Sequence, residues 1–158
     1  MIQHTANKPL TELFASENQG HYYIPKYQRE YIWSKFNWES LFDDVDESQG
    51  GHFLGSIICI NTQTDSLKAP ILELVDGQQR MTTISLFYLA IYYYLFKNLP
   101  IDNEEQKFKL FSLRQKIVLE NKSPRVKPSY SAGNFHDYNW MFYDNDVTLN
   151  YNFSGDWE

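Results

Sequence analysis

The sequence has very few of the residues from which disulfides and zinc sites are built. Cys59 is its single cysteine, so an internal disulfide is excluded, and the thiol stands in an apolar run typical of a strand. The four histidines lie far apart, and no histidine or cysteine pair has the close spacing of zinc ligands. We therefore expect no zinc site and no disulfide framework.

Long apolar segments are missing as well. Residues 86–96 are eleven consecutive apolar or aromatic residues, which is well short of the roughly 18 that a membrane-spanning helix needs. Residues 1–19 contain no apolar core of a signal peptide. We expect a cytoplasmic protein that has no membrane partner.

Several functional signatures are also absent from the sequence. It has no P-loop, no Gly-x-Ser-x-Gly turn and no His-Asn-His pattern. A net charge of −6 argues against a nucleic-acid-binding surface that covers the whole molecule. The exception is the stretch from Lys107 to Lys127, which has seven basic residues and one acid. This stretch is either a solvated helix face or a contact surface for DNA.

Aromatic residues, in contrast, make up 17% of the chain, which favours a packed core or stacking surfaces over disorder. Apolar runs predict paired antiparallel strands at Phe53–Ile60 and Ile71–Val75, and a helix at residues 86–96 that is buried on most sides. Further helices are predicted at residues 9–15, 35–48 and 104–119, and extended chain at residues 22–24 and 125–128. We predict a single α+β domain over residues 1–158, as part of a longer protein.

A polar turn, Asp-Gly-Gln-Gln-Arg-Met-Thr-Thr from Asp76 to Thr83, joins the second strand to the apolar helix. Capping accounts for much of it, since Asp76 and Gln79 have the spacing of a capping box. Capping does not explain Arg80, because a cation in the first turn of a helix faces the positive end of the helix dipole. A bound anion would explain it, since free backbone N–H groups, a glycine, two hydroxyls and a guanidinium form a phosphate cradle. Capping and phosphate binding are equally consistent with the spacing.

Three motifs resemble those of one known family. Ile-Pro-Lys-Tyr-Gln-Arg-Glu-Tyr-Ile-Trp occupies residues 24–33, Phe-Leu-Gly-Ser-Ile occupies residues 53–57, and the polar turn occupies residues 76–83. In this order they are similar to the N-terminal domain of GmrSD-type restriction enzymes, in which Asp-Gly-Gln-Gln-Arg is a signature. The resemblance covers residues 10–97. It implies a ParB/sulfiredoxin-like α+β fold, in which helices pack on a small mixed sheet.

The resemblance implies a nucleotide-binding site. Contacts to the nucleotide are expected from backbone amides at the glycine, from two guanidiniums, from amide side chains and from two hydroxyls. The residues concerned are Gln28, Arg29, Gly77, Gln78, Arg80, Thr82 and Thr83. The candidates for stacking on the base are Tyr27, Tyr31 and Trp33. The structural alternative for that segment is an aromatic cluster with Arg29 stacked in it.

The resemblance also implies nucleoside triphosphate hydrolysis with Mg²⁺. The catalytic candidates are Asp76, Gln78, Gln79 and Arg80. Asp76 would hold Mg²⁺ through water or orient the attacking water, one of the glutamines would position that water, and Arg80 would neutralise charge on the phosphates. An Asp76 that only caps the helix is the alternative.

Two functions follow from the resemblance. The first is a nucleoside triphosphatase domain that regulates an antiphage restriction system. The alternative is a non-hydrolytic module that senses a nucleotide or modified DNA and controls a nuclease. The partners would be a nucleoside triphosphate, an HNH-type nuclease domain or subunit outside this chain, and DNA, reached through that partner or through the Lys107–Lys127 stretch. A ParB-like nuclease activity in the domain itself is a third hypothesis.

Overall fold

A computed structural model describes residues 6–48, 50–98, 103–120, 123–128 and 134–144. The helices in this part of the chain are α1 (Leu10–Leu13), α2 (Lys35–Glu47), α3 (Gln78–Asn98), α4 (Glu104–Ile117) and α5 (Asn134–Asp144). The strands are β1 (His21–Tyr23), β2 (Ile58–Asn61), β3 (Ile71–Asp76) and β4 (Val126–Lys127). None of the described helices is both long and apolar enough to cross a membrane.

The four strands form one mixed sheet in the order β2-β3-β1-β4. β2 and β3 are antiparallel neighbours, as predicted for two runs joined by a polar loop, while β1 is parallel to both β3 and β4. The register aligns Tyr22 with Leu72 on one side and with Val126 on the other. The predicted α+β class, with a small mixed sheet and packed helices, is confirmed.

α3 contributes residues to two different apolar clusters. Its first half packs on the sheet, where Met81 and Ile84 contact the cluster that contains Leu74 and Phe14. Its second half packs against α4 and α5, where Leu89 and its neighbours form the other cluster. α3 therefore holds the sheet and the helical layer together, and the first of its two halves is the more deeply buried.

Two predictions about burial and length are wrong. The strand predicted at Phe53–Ile60 begins only at Ile58, because Gly55 has a φ of 88° and the carbonyls beside it bond to a side chain instead of a strand. The helix through residues 86–96 forms as predicted, but it is buried on one side only. Ile91 and Tyr94 on its other side are exposed, because α4 and α5 cover a single face.

The guanidinium of Arg125 is fully buried and has no carboxylate partner among the described residues. It donates instead to four backbone carbonyls, those of Gln115 and Lys116 at the end of α4 and those of Ala15 and Asn18 after α1. Burial lowers the pKa of this guanidinium, but an arginine stays protonated in a protein. The negative end of the α4 dipole favours a cation at this place. Arg125 therefore joins three separate segments of backbone.

We predict that Arg125→Ala lowers the free energy of unfolding by about 3 kcal/mol or more, because four buried carbonyls lose their donor. For a domain of this size the melting temperature would fall by roughly 6–12 °C. Thermal unfolding followed by circular dichroism measures the change. Lys109→Ala is the control, since this lysine is exposed and its ion pair with Glu105 lies at the surface. A loss no larger than that of the control would contradict the structural role of Arg125.

Candidate functional site

The site is built around the junction between β3 and α3. Gly77 forms the junction with a φ of 92°, and a Cβ there would lie 3.1 Å from Cγ1 of Ile57. The helix begins at Gln78, and its first backbone N–H groups have no acceptor within the helix. A glycine is required at this junction because a side chain would meet both backbone strain and Ile57.

The capping box predicted for Asp76 and Gln79 does not form. Asp76 is the last residue of β3, and Oδ2 of its carboxylate lies 3.5 Å from Nη2 of Arg80. The side-chain amide of Gln79 reaches the segment before α2 instead, where Nε2 donates to the Glu30 carbonyl and Oε1 accepts from the Ile32 N–H. That segment joins no strand, so its backbone groups take side-chain partners from α3.

Gln78 and Gln79 together bind the backbone of residues 29–32. Nε2 of Gln78 donates to the Arg29 carbonyl at 3.0 Å, beside the two bonds of Gln79. Both glutamine side chains are about 6% exposed. A third glutamine, Gln28, ties the same segment to the end of β3 through a 2.8 Å bond from Nε2 to the Val75 carbonyl. The first and third motifs of the sequence are therefore joined through backbone groups.

Arg80 holds the second motif in the same way. Nη1 donates to the Leu54 carbonyl at 3.0 Å, and Nη2 donates to the Ser56 carbonyl at 2.8 Å. Gly55, between them, leaves room for the guanidinium, since a Cβ there would lie 1.8 Å from Nη1. The side chain of Arg80 is 24% exposed. Arg80 is therefore a partly buried residue with two backbone partners, which gives it a structural role beside the predicted contact with phosphate.

An open cavity of about 320 Å³ lies between the first motif, the start of α3 and the helix α5. α3 contributes one helical face, with Gln78, Gln79, Thr82 and Leu86. α5 contributes Asp137, Tyr138 and Met141. The first motif contributes a long wall, which includes Gln28, Arg29, Glu30, Tyr31 and Trp33, and Trp38 of α2 and Pro128 complete the lining.

The charged side chains and the buried side chains of this cavity are different residues. The charged side chains of its lining, Arg29, Glu30 and Asp137, are all exposed. The buried side chains of its lining are uncharged, among them Gln78, Thr82 and Tyr138. Burying an ionised group without a partner is costly, whereas a flat uncharged group gains from apolar contact. The cavity therefore suits a ligand with an uncharged planar end inside and a charged end at the rim.

A chain of hydrogen bonds fixes the aromatic wall. The hydroxyl of Thr83 donates to the Gln79 carbonyl at 2.8 Å, so it has no proton left for Tyr31. The hydroxyl of Tyr31 therefore donates to Oγ1 of Thr83 at 2.6 Å, and it accepts from Nε1 of Trp38 at 2.5 Å. This chain links α2 to α3 and holds the ring of Tyr31 at the cavity.

The structure thus brings part of the predicted site together. Five of the predicted binding or stacking residues lie outside α3 and its junction, and four of them line the cavity: Gln28, Arg29, Tyr31 and Trp33. The fifth, Tyr27, is 69% exposed and donates to Oε1 of Glu73 at 2.7 Å. On α3, Gln78, Gln79 and Thr82 line the cavity, while Arg80 and Thr83 are not part of its lining, and neither are Asp76 at the end of β3 and Gly77 at the junction. Helical periodicity explains this division, because residues 78, 82 and 86 share one face and residue 80 lies on another.

Some residues of the lining had not been identified from the sequence. Glu30 stands inside the first motif and adds a carboxylate to the rim. Asp137, Tyr138 and Met141 belong to α5, a helix that the sequence analysis did not predict. Aspartate in the first turn and aromatic residues one turn apart are the signals that could have indicated it.

The Lys107–Lys127 stretch does not present its charges on one open surface. Lys107 and Lys109 pair with Glu104 and Glu105 along α4, and Arg125 is buried. Nζ of Lys116 lies 5.9 Å from the ring centre of Tyr88. DNA binding by this stretch stays a prediction, and the described part offers fewer free cations for it than the sequence suggested.

A family model described as the N-terminal domain of GmrSD restriction endonuclease matches residues 10–151. The matched range contains all three motifs and the described helices that line the cavity, α2, α3 and α5. No curated protein matches the chain significantly.

We predict that Gly55→Ala destabilises the protein by more than Gly51→Ala. Both glycines have positive φ, of 88° and 97°, so both substitutions add roughly 1–2 kcal/mol of backbone strain. At Gly51 a Cβ meets no atom within 4 Å, whereas at Gly55 it displaces the guanidinium of Arg80. Lost bonds to that charged group add roughly 1.5–3 kcal/mol. Chemical denaturation of the two variants measures the difference.

The same pair of substitutions in an Arg80→Ala background is the control. Without the guanidinium, Gly55→Ala should lower the free energy of unfolding by no more than Gly51→Ala does. A Gly55→Ala effect that is equally large with and without Arg80 would contradict the contact as the cause.

Proposed function

The chain belongs to the family of GmrSD restriction endonuclease N-terminal domains, and we propose that it is the nucleotide-binding regulatory domain of a restriction system. The observation that carries this proposal is the cavity at the start of α3, with its uncharged interior and charged rim. Its partners would be a nucleoside triphosphate, DNA, and an HNH-type nuclease domain or subunit outside the residues described. In this proposal the state of the nucleotide controls cleavage by that nuclease.

A nucleotide fits the chemistry of the cavity. The aromatic rings of Tyr31 and Trp33 offer faces on which a base can stack. Arg29 stands at the rim and is exposed, so it is free to pair with phosphate in a bidentate manner. The N-terminus of α3 adds backbone N–H groups and the positive end of a dipole, which favour an anion.

The donor set also fits a magnesium ion that arrives with the nucleotide. Mg²⁺ is usually held by one or two carboxylates together with substrate phosphates. Asp76 is one exposed carboxylate near the start of α3, while Glu30 and Asp137 stand at the cavity rim. When bound, the ion would neutralise charge that develops on the phosphates.

Hydrolysis is the second part of the proposal, and Asp76 is its central residue. The carboxylate of Asp76 is 61% exposed, so it can orient water. Two of the other predicted catalytic groups are less available, since the amide of Gln79 and the guanidinium of Arg80 already bond to backbone atoms. Those two residues support hydrolysis by holding the loops around Asp76 and the cavity.

A non-hydrolytic sensor is the second candidate, and one observation favours it. Asp76 and Arg80 are outside the lining of the cavity, so the groups predicted to act on the γ-phosphate stand apart from the groups predicted to bind the base. Binding without hydrolysis needs only the cavity and Arg29. Measurement of phosphate release separates the two candidates.

We predict that a nucleoside triphosphate with Mg²⁺ raises the melting temperature of the wild-type protein. At a hundredfold excess over Kd, binding to the native state adds about 2.7 kcal/mol, which corresponds to roughly 5–10 °C here. Arg29→Ala should remove most of this rise, because it removes the cation that pairs with phosphate. Without nucleotide the variant should melt like the wild type, since the side chain of Arg29 is exposed.

Lys26→Ala is the matched control, because Lys26 is an exposed cation of the same segment that is not part of the cavity lining. It should keep the full rise. If Arg29→Ala also keeps the full rise, the proposed phosphate contact is wrong.

For hydrolysis, we predict that Asp76→Asn lowers phosphate release by at least about tenfold while nucleotide binding persists. The change keeps the shape of the side chain and removes the charge that would orient water or Mg²⁺. Asp65→Asn is the control, since Asp65 is a carboxylate in the loop between β2 and β3. Wild-type rates in Asp76→Asn would exclude Asp76 as the catalytic group, and no phosphate release from the wild type would favour the sensor.

A further inference from the structure

We infer that the cavity receives the base of the nucleotide, and that the base donates an N–H hydrogen bond to Oε1 of Gln78. This inference rests on the proposed function and adds the recognition of the base to it. It follows from one unsatisfied acceptor in the lining, from the place of that acceptor on α3, and from the division of charge between interior and rim.

The unsatisfied acceptor is Oε1 of Gln78. This oxygen is buried and has no hydrogen-bond partner among the described residues. The side chain as a whole is about 6% exposed and lines the cavity. A buried acceptor without a donor costs roughly 1–3 kcal/mol, and such groups are rare in native proteins. A ligand that supplies an N–H group at this place removes that cost.

The orientation of the amide follows from its neighbour. Gln78 bonds to the Arg29 carbonyl at 3.0 Å, and a carbonyl can only accept, so the NH₂ group must face it. The oxygen is therefore the end that is left for a ligand. Gln79, which is equally buried, uses both ends of its amide on the backbone of Glu30 and Ile32. Only one of the two adjacent glutamines is thus available for recognition.

The surroundings of Gln78 select a planar ligand. Thr82, one helical turn further along, lines the same cavity and carries a hydroxyl that can donate or accept. An acceptor and a hydroxyl on one helix face match the edge of a nucleobase, where N–H donors and ring or carbonyl acceptors alternate. Tyr31 and Trp33 provide the aromatic faces for stacking. Phosphates then lie at the rim beside Arg29.

The base enters with a small rearrangement of the cavity wall. Less than 1 Å² of Oε1 of Gln78 is accessible to solvent, so a donor reaches it only when a neighbouring side chain shifts. Side-chain changes of this size are common on binding. Such changes leave the amide of Gln78 in place, because its hydrogen bond to the Arg29 carbonyl holds it while other side chains of the wall move.

Isothermal titration calorimetry of the wild-type protein provides the first test. The probes are ATP, GTP, CTP and UTP with Mg²⁺, inorganic tripolyphosphate, and the tightest-binding nucleotide with every N–H of its base edge methylated. We expect one base to be preferred, tripolyphosphate to bind more weakly, and methylation to weaken binding by at least about tenfold. Equal binding of the parent and methylated nucleotides, or of tripolyphosphate and the best nucleotide, would overturn the inference.

Two variants then locate the recognition. In Gln78→Met the parent and methylated nucleotides should bind equally, because the acceptor is gone. Gln79→Met is the matched control: it also removes an amide that holds residues 29–32, but it leaves Oε1 of Gln78 in place. It should weaken both nucleotides by the same factor and keep the preference for the parent. A preference that persists in Gln78→Met would overturn the role of this oxygen.

A base of a free nucleotide and a base turned out of a DNA strand share this chemistry. A short single-stranded oligonucleotide that carries the preferred base, compared with the triphosphate, distinguishes the two sources. Binding of nucleotides without any effect of N–H methylation would overturn the inference and leave the proposed function standing. No binding of any nucleotide or oligonucleotide would overturn both.

Discussion

Two segments of this domain, residues 29–32 and 54–56, join no strand, and their backbone groups still require hydrogen-bond partners. Three consecutive side chains at the start of α3 provide them: Gln78 and Gln79 bond the first segment, and Arg80 bonds the second. One helical turn therefore supplies hydrogen-bond partners that a neighbouring strand would otherwise supply. The cavity, its aromatic wall and the end of β3 all depend on the segments that this turn holds.

Local patterns were sufficient for most of the fold. The helix that follows Ser34 was predicted from its apolar spacing and its polar start, which are properties of adjacent residues, and in the structure the Ser34 N–H donates to Oδ1 of Asn37. The strand predicted at Phe53–Ile60 was too long because its first half bonds to Arg80, which is 24 residues or more away in the sequence. An apolar run favours a strand, but it does not show which group forms the hydrogen bonds of its backbone.

Several residues of the cavity lining could be predicted from the sequence, whereas their arrangement in space could be predicted less well. The motifs indicated Gln28, Arg29, Gln78 and Thr82, and the structure places all four on one cavity. The same motifs suggested that Arg80 would join Arg29 on a polyphosphate, whereas a residue two positions along a helix from Gln78 lies on a different face. The contribution of α5 was missed, because contacts between residues this far apart leave no local pattern.

The place of α5 in the cavity also determines when the cavity is completed during synthesis of the chain. The sheet, α3 and α4 all precede α5 along the chain, and segments nearer the N-terminus can begin to fold first during synthesis. One wall of the cavity, with Asp137, Tyr138 and Met141, is complete only when α5 has emerged and docked through the 2.9 Å hydrogen bond between Ser85 and Tyr138. The cavity is therefore complete only in a chain that has been synthesised at least as far as α5.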